Sequence, residues 1–453
     1  MLRKDVPVLT PETERATKEQ TRMAASQTLL YGWIVIAIVM VGMILVYGIR
    51  HSFAVFFSSI LREFAWTRAD ISLMLSLNVL VYGILAPFAG FLPERVNPKG
   101  LMVLGVILLG GATASCSAVR ELWHFYVLFG ILMPLGSAFC GWPVLGPALM
   151  NWFISKRGLV VGLGQAGGGL SFAYGLFVEW SIHRFGWRYS FLILGGMLMA
   201  FLLPLYLFCF DYHPRSVGLK AYGSNERAEN EHVLTKGNVA KCLEQHKYSL
   251  RRILLSPQAW LLMLSYALLW GMAVYIVIAH QVKFMEDIGF SSMFAVSISA
   301  FLGVTLAAGQ LSGFVSDWLG REKTGTFASI LCVGALFCLI SVRDPSQSRF
   351  LYLYAICFGY GAGLFTPTLI AGAADIFAGQ HFGAVAGLLL AGMGVGGLIG
   401  PFVGGYLFDV TGSYLPAFVL CIFCVMFSCV TFWIAGPRKG PIGARGAFGV
   451  TCR

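Results

Sequence analysis

The same turn occurs twice in this chain, as GFLPERVNPKG at residues 90–100 and as GFVSDWLGREK at residues 313–323. Two further pairs repeat at nearly the same separation, GLVVG at 158–162 with GAVAG at 383–387 and GWRYSFLIL at 186–194 with GSYLPAFVL at 412–420. Several matches at one separation are stronger evidence than any single motif, because they extend over half of the chain. They indicate a tandem repeat in which each copy contributes several helices.

The composition is that of an integral membrane protein. Hydrophobic residues make up 57% of the 453 residues, charged residues make up 12%, and the mean hydropathy is +0.76. Apolar segments long enough to cross about 30 Å of hydrocarbon begin near Tyr31, Ile71, Gly100, Leu122, Gly158, Ser190, Pro257, Met293, Gly325, Phe350, Phe382 and Leu415. Lipid offers no partners to backbone polar groups, so these segments must be helical. The sequence therefore predicts an all-α membrane protein with twelve transmembrane helices in two six-helix pseudo-repeats.

The predicted domain boundaries follow from the apolar segments. They are a cytoplasmic tail at 1–30, an N-terminal six-helix bundle at 31–210, a cytoplasmic linker at 211–256, a C-terminal six-helix bundle at 257–435 and a cytoplasmic tail at 436–453. The first tail lacks the apolar core of a signal peptide, so both termini are expected in the cytoplasm. Most of the 32 Lys and Arg then lie on the cytoplasmic side, as the positive-inside rule requires. The net charge of +11 indicates this topology and contact with anionic membrane lipid rather than a nucleic-acid partner.

Two such halves, each with a Gly-x-x-x-acid turn after its second helix, resemble the major facilitator superfamily over nearly the whole chain. The resemblance implies the major facilitator fold, with substrate held between the halves near the middle of the membrane and with alternating access by rocking of the halves. Further stretches resemble the monocarboxylate transporter and oxalate/formate antiporter group, namely YGWIVIAIVM, VFFSSILREFAWTRADISL, NWFISKRGLVVGLGQAGGG, SLRRILLSPQAWLL and AHQVKFMEDIGFSS. That group implies a small organic anion as substrate, moved together with a proton or in exchange for a counter-anion.

Other classes of function have less support. An enzyme would need a nucleophile with a base, paired carboxylates or a metal cluster within the spans, and the sequence offers none at a suitable spacing. No cofactor and no metal site are predicted, and without a nucleotide-binding glycine loop the driving force must be an ion or solute gradient. An exporter of an unrelated solute or drug is the alternative, and a non-transporting sensor on the same fold is a third. The expected form is a monomer in the cell membrane.

The repeated turn supplies candidate gating residues. Glu94 and Arg95 in the first copy, like Asp317 and Arg321 in the second, place an acid and a cation at adjoining helix ends. Such groups can pair across the cytoplasmic seam in one state and separate in another. A tight loop that merely obeys the positive-inside rule is the alternative. Both copies depart from the family pattern, the second by Trp318 at a position that usually holds arginine.

Arg50 is the one Lys or Arg inside a predicted span, and His51 follows it. A cation at bilayer depth costs about 2.5–3.5 kcal/mol or more, so it usually faces a cavity and a partner. A carboxylate would gain a bidentate pair with Arg50, and His51 would be suited to carry a coupled proton. The resemblance places His51 at the substrate-linked lysine of animal monocarboxylate carriers. The alternative is that the first helix overshoots the hydrocarbon and lets Arg50 reach the outer interface.

The eighth span departs from the related transporters. Four residues before Gly313, where the family usually has arginine, this chain has Gly309, and the often acidic position one turn earlier is Thr305. The adjacent Gln310 can hydrogen-bond an anion but cannot replace the charge. Either the anion site has moved onto the first helix or the substrate is not a monocarboxylate.

Further polar side chains within apolar segments complete the predicted substrate site. They are Asn78, Tyr82, Trp142, Gln165, Tyr275, His280, Gln310 and Tyr360. Tyr and Trp also anchor helices at the membrane interface, and a solvated position at a loop edge is the alternative for His280. The glycine-rich stretches are expected to serve close helix packing.

Overall fold

Helices form almost all of the described chain. The computed structural model describes residues 11–64, 66–153, 157–222, 255–377 and 382–436. The N-terminal helices are α1 (Pro11–His51), α2 (Phe53–Glu63), α3 (Arg68–Phe91), α4 (Pro98–Ser115), α5 (Leu122–Val127), α6 (Met133–Cys140), α7 (Trp142–Trp152), α8 (Arg157–Leu170) and α9 (Tyr174–Pro204). The C-terminal helices are α10 (Pro257–Tyr266), α11 (Tyr275–Ile288), α12 (Ser292–Leu311), α13 (Val315–Leu319), α14 (Arg321–Ser341), α15 (Ser348–Ile376), α16 (Phe382–Thr411) and α17 (Leu415–Ala435).

Eleven helical segments within the described ranges are long and apolar enough to cross a membrane. The longest, Leu159–Cys209, has 51 residues. A straight helix of that length would measure about 76 Å, more than twice the roughly 30 Å of hydrocarbon. The helix is broken inside this segment at Gly186, where φ is 82° and ψ is 160°. The chain is therefore an all-helical, multi-pass membrane protein.

Large apolar side chains cover the outside of the bundle. Phe88, Phe208, Ile330 and Phe423 are each more than half exposed. Soluble proteins rarely expose apolar surface on this scale, whereas lipid tails are as apolar as these side chains. The exposed surface is thus the surface that faces lipid.

The predicted first span consists of two helices. α1 ends at His51 and α2 begins at Phe53, with Ser52 between them. The Ser52 hydroxyl donates to the carbonyl oxygen of Gly48 over 2.7 Å, an interaction that often bends membrane helices. This boundary follows directly after Arg50 and His51, which form the last turn of α1 inside the 35-residue span Leu29–Glu63.

Glycine allows the N-terminal and C-terminal helices to approach each other closely at two helix–helix contacts. At the first, α3 packs against α16, and a Cβ added to Gly83 would lie 2.7 Å from the Cα of Gly394. At the second, α8 packs against α12, and a Cβ added to Gly169 would lie 2.7 Å from the backbone nitrogen of Ala307. Real Cβ atoms do not come this near to backbone, so a larger residue would force these helices apart.

Candidate functional site

A cavity of about 180 Å³ lies where the N-terminal helices face the C-terminal helices. Among its lining residues are the predicted site residues Arg50, His51, Tyr82, Trp142, Gln165, Tyr275 and Gln310. They belong to α1, α3, α7, α8, α11 and α12, so the site exists only when both sets of helices are assembled.

Arg50 brings a positive charge to this cavity. The residue is only 4% exposed, and its Nη2 donates to Ser137 Oγ over 3.3 Å. The guanidinium carbon lies 4.3 Å from the ring centroid of Tyr82 and 5.4 Å from that of Tyr47, where the negative faces of the rings attract it. Its Nη1 has no hydrogen-bond partner, and no Asp or Glu of the described chain pairs with it. Arg50 is therefore a buried charge without a counter-charge among the described residues.

Two tyrosines join α1 to α3 beside this guanidinium. The hydroxyl oxygens of Tyr47 and Tyr82 are 2.5 Å apart, and the rings meet edge to face with their centroids 6.1 Å apart. One of the two hydroxyl hydrogens makes this bond, so the pair retains the other for an acceptor in the cavity.

His51 has one ring nitrogen fixed and one free. Its Nδ1 lies 2.6 Å from Ser171 Oγ, and the Ser171 hydroxyl donates to the carbonyl oxygen of Gly168, also over 2.6 Å. Because that hydroxyl has a single hydrogen, its oxygen accepts from Nδ1, which therefore carries the hydrogen in the neutral ring. Nε2 makes no hydrogen bond within the described chain, and His51 lines the cavity. Nε2 is the atom at which the ring can take up a second proton.

The wall contributed by the C-terminal helices is largely apolar. The Trp270 indole donates to Thr366 Oγ1 over 2.5 Å, and Tyr275 is 3% exposed. Gln310 has a buried Oε1 without a hydrogen-bond partner. No charged side chain of the described C-terminal helices lines the cavity, so its charge is confined to the N-terminal side.

The position of the missing eighth-span arginine is closed by helix packing. A Cβ added to Gly309 would overlap the carbonyl oxygen of Tyr360 on α15. One turn earlier, Thr305 Oγ1 donates to the carbonyl oxygen of Ala355 over 2.7 Å, again on α15. Both positions thus face a neighbouring helix, and from this stretch Leu306 and Gln310 line the cavity.

This packing predicts that replacement by alanine changes the free energy of unfolding in opposite directions at two glycines. Gly309→Ala should lower the free energy of unfolding by about 1–3 kcal/mol, because the added methyl group meets backbone. Gly334→Ala, on α14, is the matched control: nothing lies within 4 Å of its Cβ position, and replacing an open helical glycine should stabilise by about 0.5–1 kcal/mol. Thermal unfolding in detergent measures both. Equal unfolding temperatures for the two variants would contradict the close contact between α12 and α15.

Three predicted site residues lie outside the cavity. Asn78 donates from Nδ2 to the carbonyl oxygen of Phe129 over 2.6 Å, and it borders a second cavity, of about 10 Å³, together with Arg50. His280 is fully buried, and its Nε2 lies 3.0 Å from the carbonyl oxygen of Pro401. Tyr360 is half-buried on α15. Asn78 is thus near the site without lining its main cavity.

The predicted gating residues differ between the two copies of the turn. Asp317 and Arg321 are 2.5 Å apart, and Arg321 Nε also lies 2.8 Å from Asp375 at the end of α15. Glu94 and Arg95 are exposed. Within the described ranges, none of these four side chains forms an ion pair between the N-terminal and the C-terminal helices.

Asp211 links two of the N-terminal helices at the end that carries the repeated turn. It accepts a hydrogen bond from Tyr31 over 2.7 Å and pairs with Lys99 over 3.0 Å. Burial alone would raise the pKa of this carboxyl, but the hydrogen bonds from Tyr31 and Lys99 outweigh burial and hold its pKa below the ordinary value. Asp211 is therefore ionised at neutral pH and ties α1 to α4.

At the end of the bundle opposite the repeated turns, a polar cluster links the N-terminal and C-terminal helices. The sequence did not single out this cluster. Arg68, the first residue of α3, lies 2.6 Å from Asp287 of α11 and 2.5 Å from the hydroxyl of Tyr414. Asp409 of α16 accepts from the backbone nitrogens of Arg68, over 3.2 Å, and Ala69, over 2.9 Å. A carboxylate from one set of helices thus caps a helix of the other. We call Arg68, Asp287, Asp409 and Tyr414 the Arg68 latch.

The comparisons with known proteins agree with this architecture. The family model described as Major Facilitator Superfamily matches residues 39–370 and, in a second match, residues 333–450. The chain belongs to the Major Facilitator Superfamily. Among solved structures, a bacterial homolog to the human lysosomal transporter Spinster, in an inward-facing and unoccupied conformation, has a TM-score of 0.66 and 16% identity, covering 90% of this chain and 98% of that one. At this identity the likeness concerns the fold alone.

Curated relatives within the superfamily are monocarboxylate transporters. The chain is 27% identical over 399 residues to Monocarboxylate transporter 13 of Rattus norvegicus, across 86% of this chain and 85% of the relative. It is 24% identical over 405 residues to Monocarboxylate transporter 2 of Homo sapiens, across 86% and 82%. The resemblance read from the sequence is confirmed. Because these relatives are transporters, the prediction that the chain is not an enzyme is confirmed as well.

This superfamily member combines a cation, a titratable ring and an aromatic enclosure in one cavity. The guanidinium of Arg50 is suited to hold a carboxylate by two parallel hydrogen bonds. His51 presents a ring nitrogen, Nε2, that makes no hydrogen bond within the described chain. Both lie on consecutive positions of α1, so a movement of that helix would carry both together.

Proposed function

We propose that this protein is a secondary active transporter of a small organic anion with one carboxylate. The observation that carries the proposal is Arg50, which is 4% exposed and has no carboxylate partner among the described residues. An unpaired cation inside a membrane protein is costly and ordinarily marks a ligand or ion pathway. A bound anion would supply the missing counter-charge, and the relatives named monocarboxylate transporters support that chemistry.

His51 is the proposed proton carrier. Its Nε2 is free, while Nδ1 is held by Ser171. Arg50 precedes His51 on α1, and the Tyr47 ring, also on α1, has its centroid 6.0 Å from the His51 ring. A bound carboxylate would offset the positive charge of Arg50 and favour protonation of His51. Anion and proton would then bind together, which is the requirement for symport. Exchange of one anion for another would need no such step.

Alternating access is the proposed mechanism. The 51-residue segment broken at Gly186 is proposed to cross the membrane twice, which gives twelve crossings in two six-helix halves. The Arg68 latch would close the outer end, while the cavity would open toward the repeated turns and the cytoplasm. Both termini and the linker between the halves are proposed to be cytoplasmic, with the protein a monomer in the cell membrane.

The Arg68 latch gives a testable prediction about the equilibrium between the forms closed and open at the latch end. Asp287→Asn removes a charge that lies 2.6 Å from Arg68. For a partly exposed pair we expect a loss of about 1 kcal/mol, which shifts the ratio of the two states roughly fivefold toward the form open at the latch end. The distance between spin labels at Arg62→Cys and Ser413→Cys, measured by electron resonance, reports that opening.

Lys283→Gln is the matched control for the latch. Lys283 also contacts Asp287, at 2.9 Å, but both residues lie on α11. Its removal should leave the distance distribution unchanged, because no link between the two sets of helices is lost. A latch variant with the distribution of the wild type would contradict the proposed outer gate.

Uptake into proteoliposomes tests the proposed function. The panel contains labelled carboxylates, a neutral solute and an apolar cation, each with and without an inward proton gradient. We expect uptake of at least one carboxylate, increased by the gradient if transport is symport. Uptake of the cation or the neutral solute without that of any carboxylate would favour the alternative, an exporter of an unrelated solute.

A further inference from the structure

We infer that the anion is an aromatic carboxylate, with a flat ring that occupies the part of the cavity beyond Arg50. This inference rests on the proposed function and narrows its substrate class. The observations behind it are the large share of aromatic rings in the lining and the hydrogen bonds that Tyr47, Tyr82 and Trp270 already make within the protein.

On the N-terminal side, two tyrosine rings are joined through their hydroxyls, which leaves one hydroxyl hydrogen for an acceptor on the ligand. The hydroxyls of Tyr47 and Tyr82 bind each other at 2.5 Å. Phe172 stacks on the His51 ring, with centroids 4.1 Å apart and planes at 17°. Trp142 adds a further ring to this side. A ligand in contact with these residues meets mainly carbon surfaces and ring faces.

On the C-terminal side, the indole N–H of Trp270 is likewise already hydrogen-bonded. Its only N–H donates to Thr366 Oγ1, and the Thr366 hydroxyl in turn lies 3.3 Å from the carbonyl oxygen of Ala362. Neither group needs a ligand to complete its hydrogen bonds. Leu389 and Met393 add apolar surface from α16. The part of the wall formed by Trp270, Leu389 and Met393 therefore favours an apolar, flat partner over a hydrated one.

The lining also limits the charge of the ligand. Among the described residues that border the cavity, Arg50 is the one with a permanent charge. A second carboxylate would enter an apolar space without a cation to pair with, which is unfavourable. The site is thus matched to one carboxylate attached to an apolar ring, and poorly matched to a dicarboxylate.

The test compares three acids that differ in the group attached to the carboxylate, together with one amide that lacks the charge. Binding of acetate, cyclohexylacetate, phenylacetate and phenylacetamide to the purified full chain is measured by competition against uptake and by calorimetry. We expect phenylacetate to bind at least about tenfold more tightly than acetate, since even one methylene group in an apolar pocket gives about that factor. We expect it to bind more tightly than cyclohexylacetate as well, because only the planar ring can stack. Phenylacetamide should not compete.

Each outcome separates this inference from the proposed function. If acetate binds as tightly as phenylacetate, the aromatic class is wrong and anion transport stands. If cyclohexylacetate equals phenylacetate, the site selects apolar bulk and the inference is again overturned. If phenylacetamide competes and the acids do not, both the inference and the proposed function fail. Failure of phenylacetate to bind overturns the inference, and the uptake panel then decides the function.

A substitution of Trp270 tests the same inference through the ratio of two ligand affinities. Trp270→Leu should reduce the ratio of phenylacetate affinity to acetate affinity about tenfold, because it removes a stacking surface and retains apolar volume. Trp33→Leu is the matched control, since Trp33 is 49% exposed on the lipid-facing surface of α1, and it should leave the ratio unchanged. An unchanged ratio in a folded Trp270→Leu protein would overturn the inference. If that variant does not fold, the comparison of acids with the wild type decides.

Discussion

Arg50→Gln is expected to abolish binding and transport of the anion at every pH. The guanidinium keeps its charge over the whole accessible range, so the substitution removes the pair itself rather than shifting a titration. Truncating one partner of a buried charge pair costs about 2–5 kcal/mol, a loss of affinity of roughly 30-fold or more. Uptake and equilibrium binding between pH 5 and 8 measure the effect.

The stability of the same variant separates a binding role from a structural one. Without ligand, Arg50 is a buried cation with no counter-charge in the described chain, and its removal should relieve that cost. Ligand-free Arg50→Gln should therefore unfold at a temperature no lower than the wild type. Arg50→Lys keeps the charge but loses the planar fork, so weakened binding is expected there. Normal transport by Arg50→Gln would show that Arg50 is an interfacial anchor.

His51→Gln is expected to separate coupling from binding. Exchange of substrate for substrate should continue, because Arg50 still holds the carboxylate. Accumulation driven by a proton gradient should be lost, and the pH dependence between about pH 5 and 8 should flatten, because no ring remains to carry the proton. Counterflow and gradient-driven uptake in the same proteoliposomes measure the two activities.

Ser171→Ala is the companion variant for His51. It keeps the imidazole but removes the oxygen that holds Nδ1 at 2.6 Å. Gradient-driven uptake should persist with an altered pH dependence, because the ring remains while its orientation and tautomer are less fixed. If His51→Gln accumulates substrate as well as the wild type does, His51 is not the proton carrier.

Composition and internal repetition were sufficient to predict the helical membrane fold, and the resemblance of the repeated turn and of further stretches to known transporters indicated the family. The sequence also identified Arg50 and His51, because charge within an apolar segment is rare and costly enough to be informative. The same reasoning selected Tyr82, Gln165 and Gln310, which line the cavity. Asn78 and His280 carried the same signal, yet each lies outside the main cavity and contacts a backbone carbonyl oxygen through one nitrogen. Sequence alone could not distinguish a side chain that faces the cavity from one that faces a neighbouring helix.

The Arg68 latch could not be predicted for a different reason. Arg68, Asp287 and Asp409 lie near the ends of apolar segments, where charges are ordinarily solvated. Only the packing of α3 against α16, together with the contact of Arg68 with Asp287 of α11, brings them together. Gly309 is similar, because the contact with Tyr360 that excludes a side chain depends on the approach of α15. Trp270 and Phe172 were missed because a ring that lines a cavity and a ring that faces lipid look alike in an apolar sequence.

The charge requirement of the site is tested most directly by one matched pair of ligands. The acid that the uptake panel identifies and the amide of the same acid have nearly the same shape, so their affinities differ mainly through the carboxylate charge. Calorimetric titration of the purified protein should give binding of the acid and at least about 30-fold weaker binding of the amide. That difference should disappear in Arg50→Gln. Equal affinity of the wild type for acid and amide would contradict the assignment of Arg50 as the anion-binding residue.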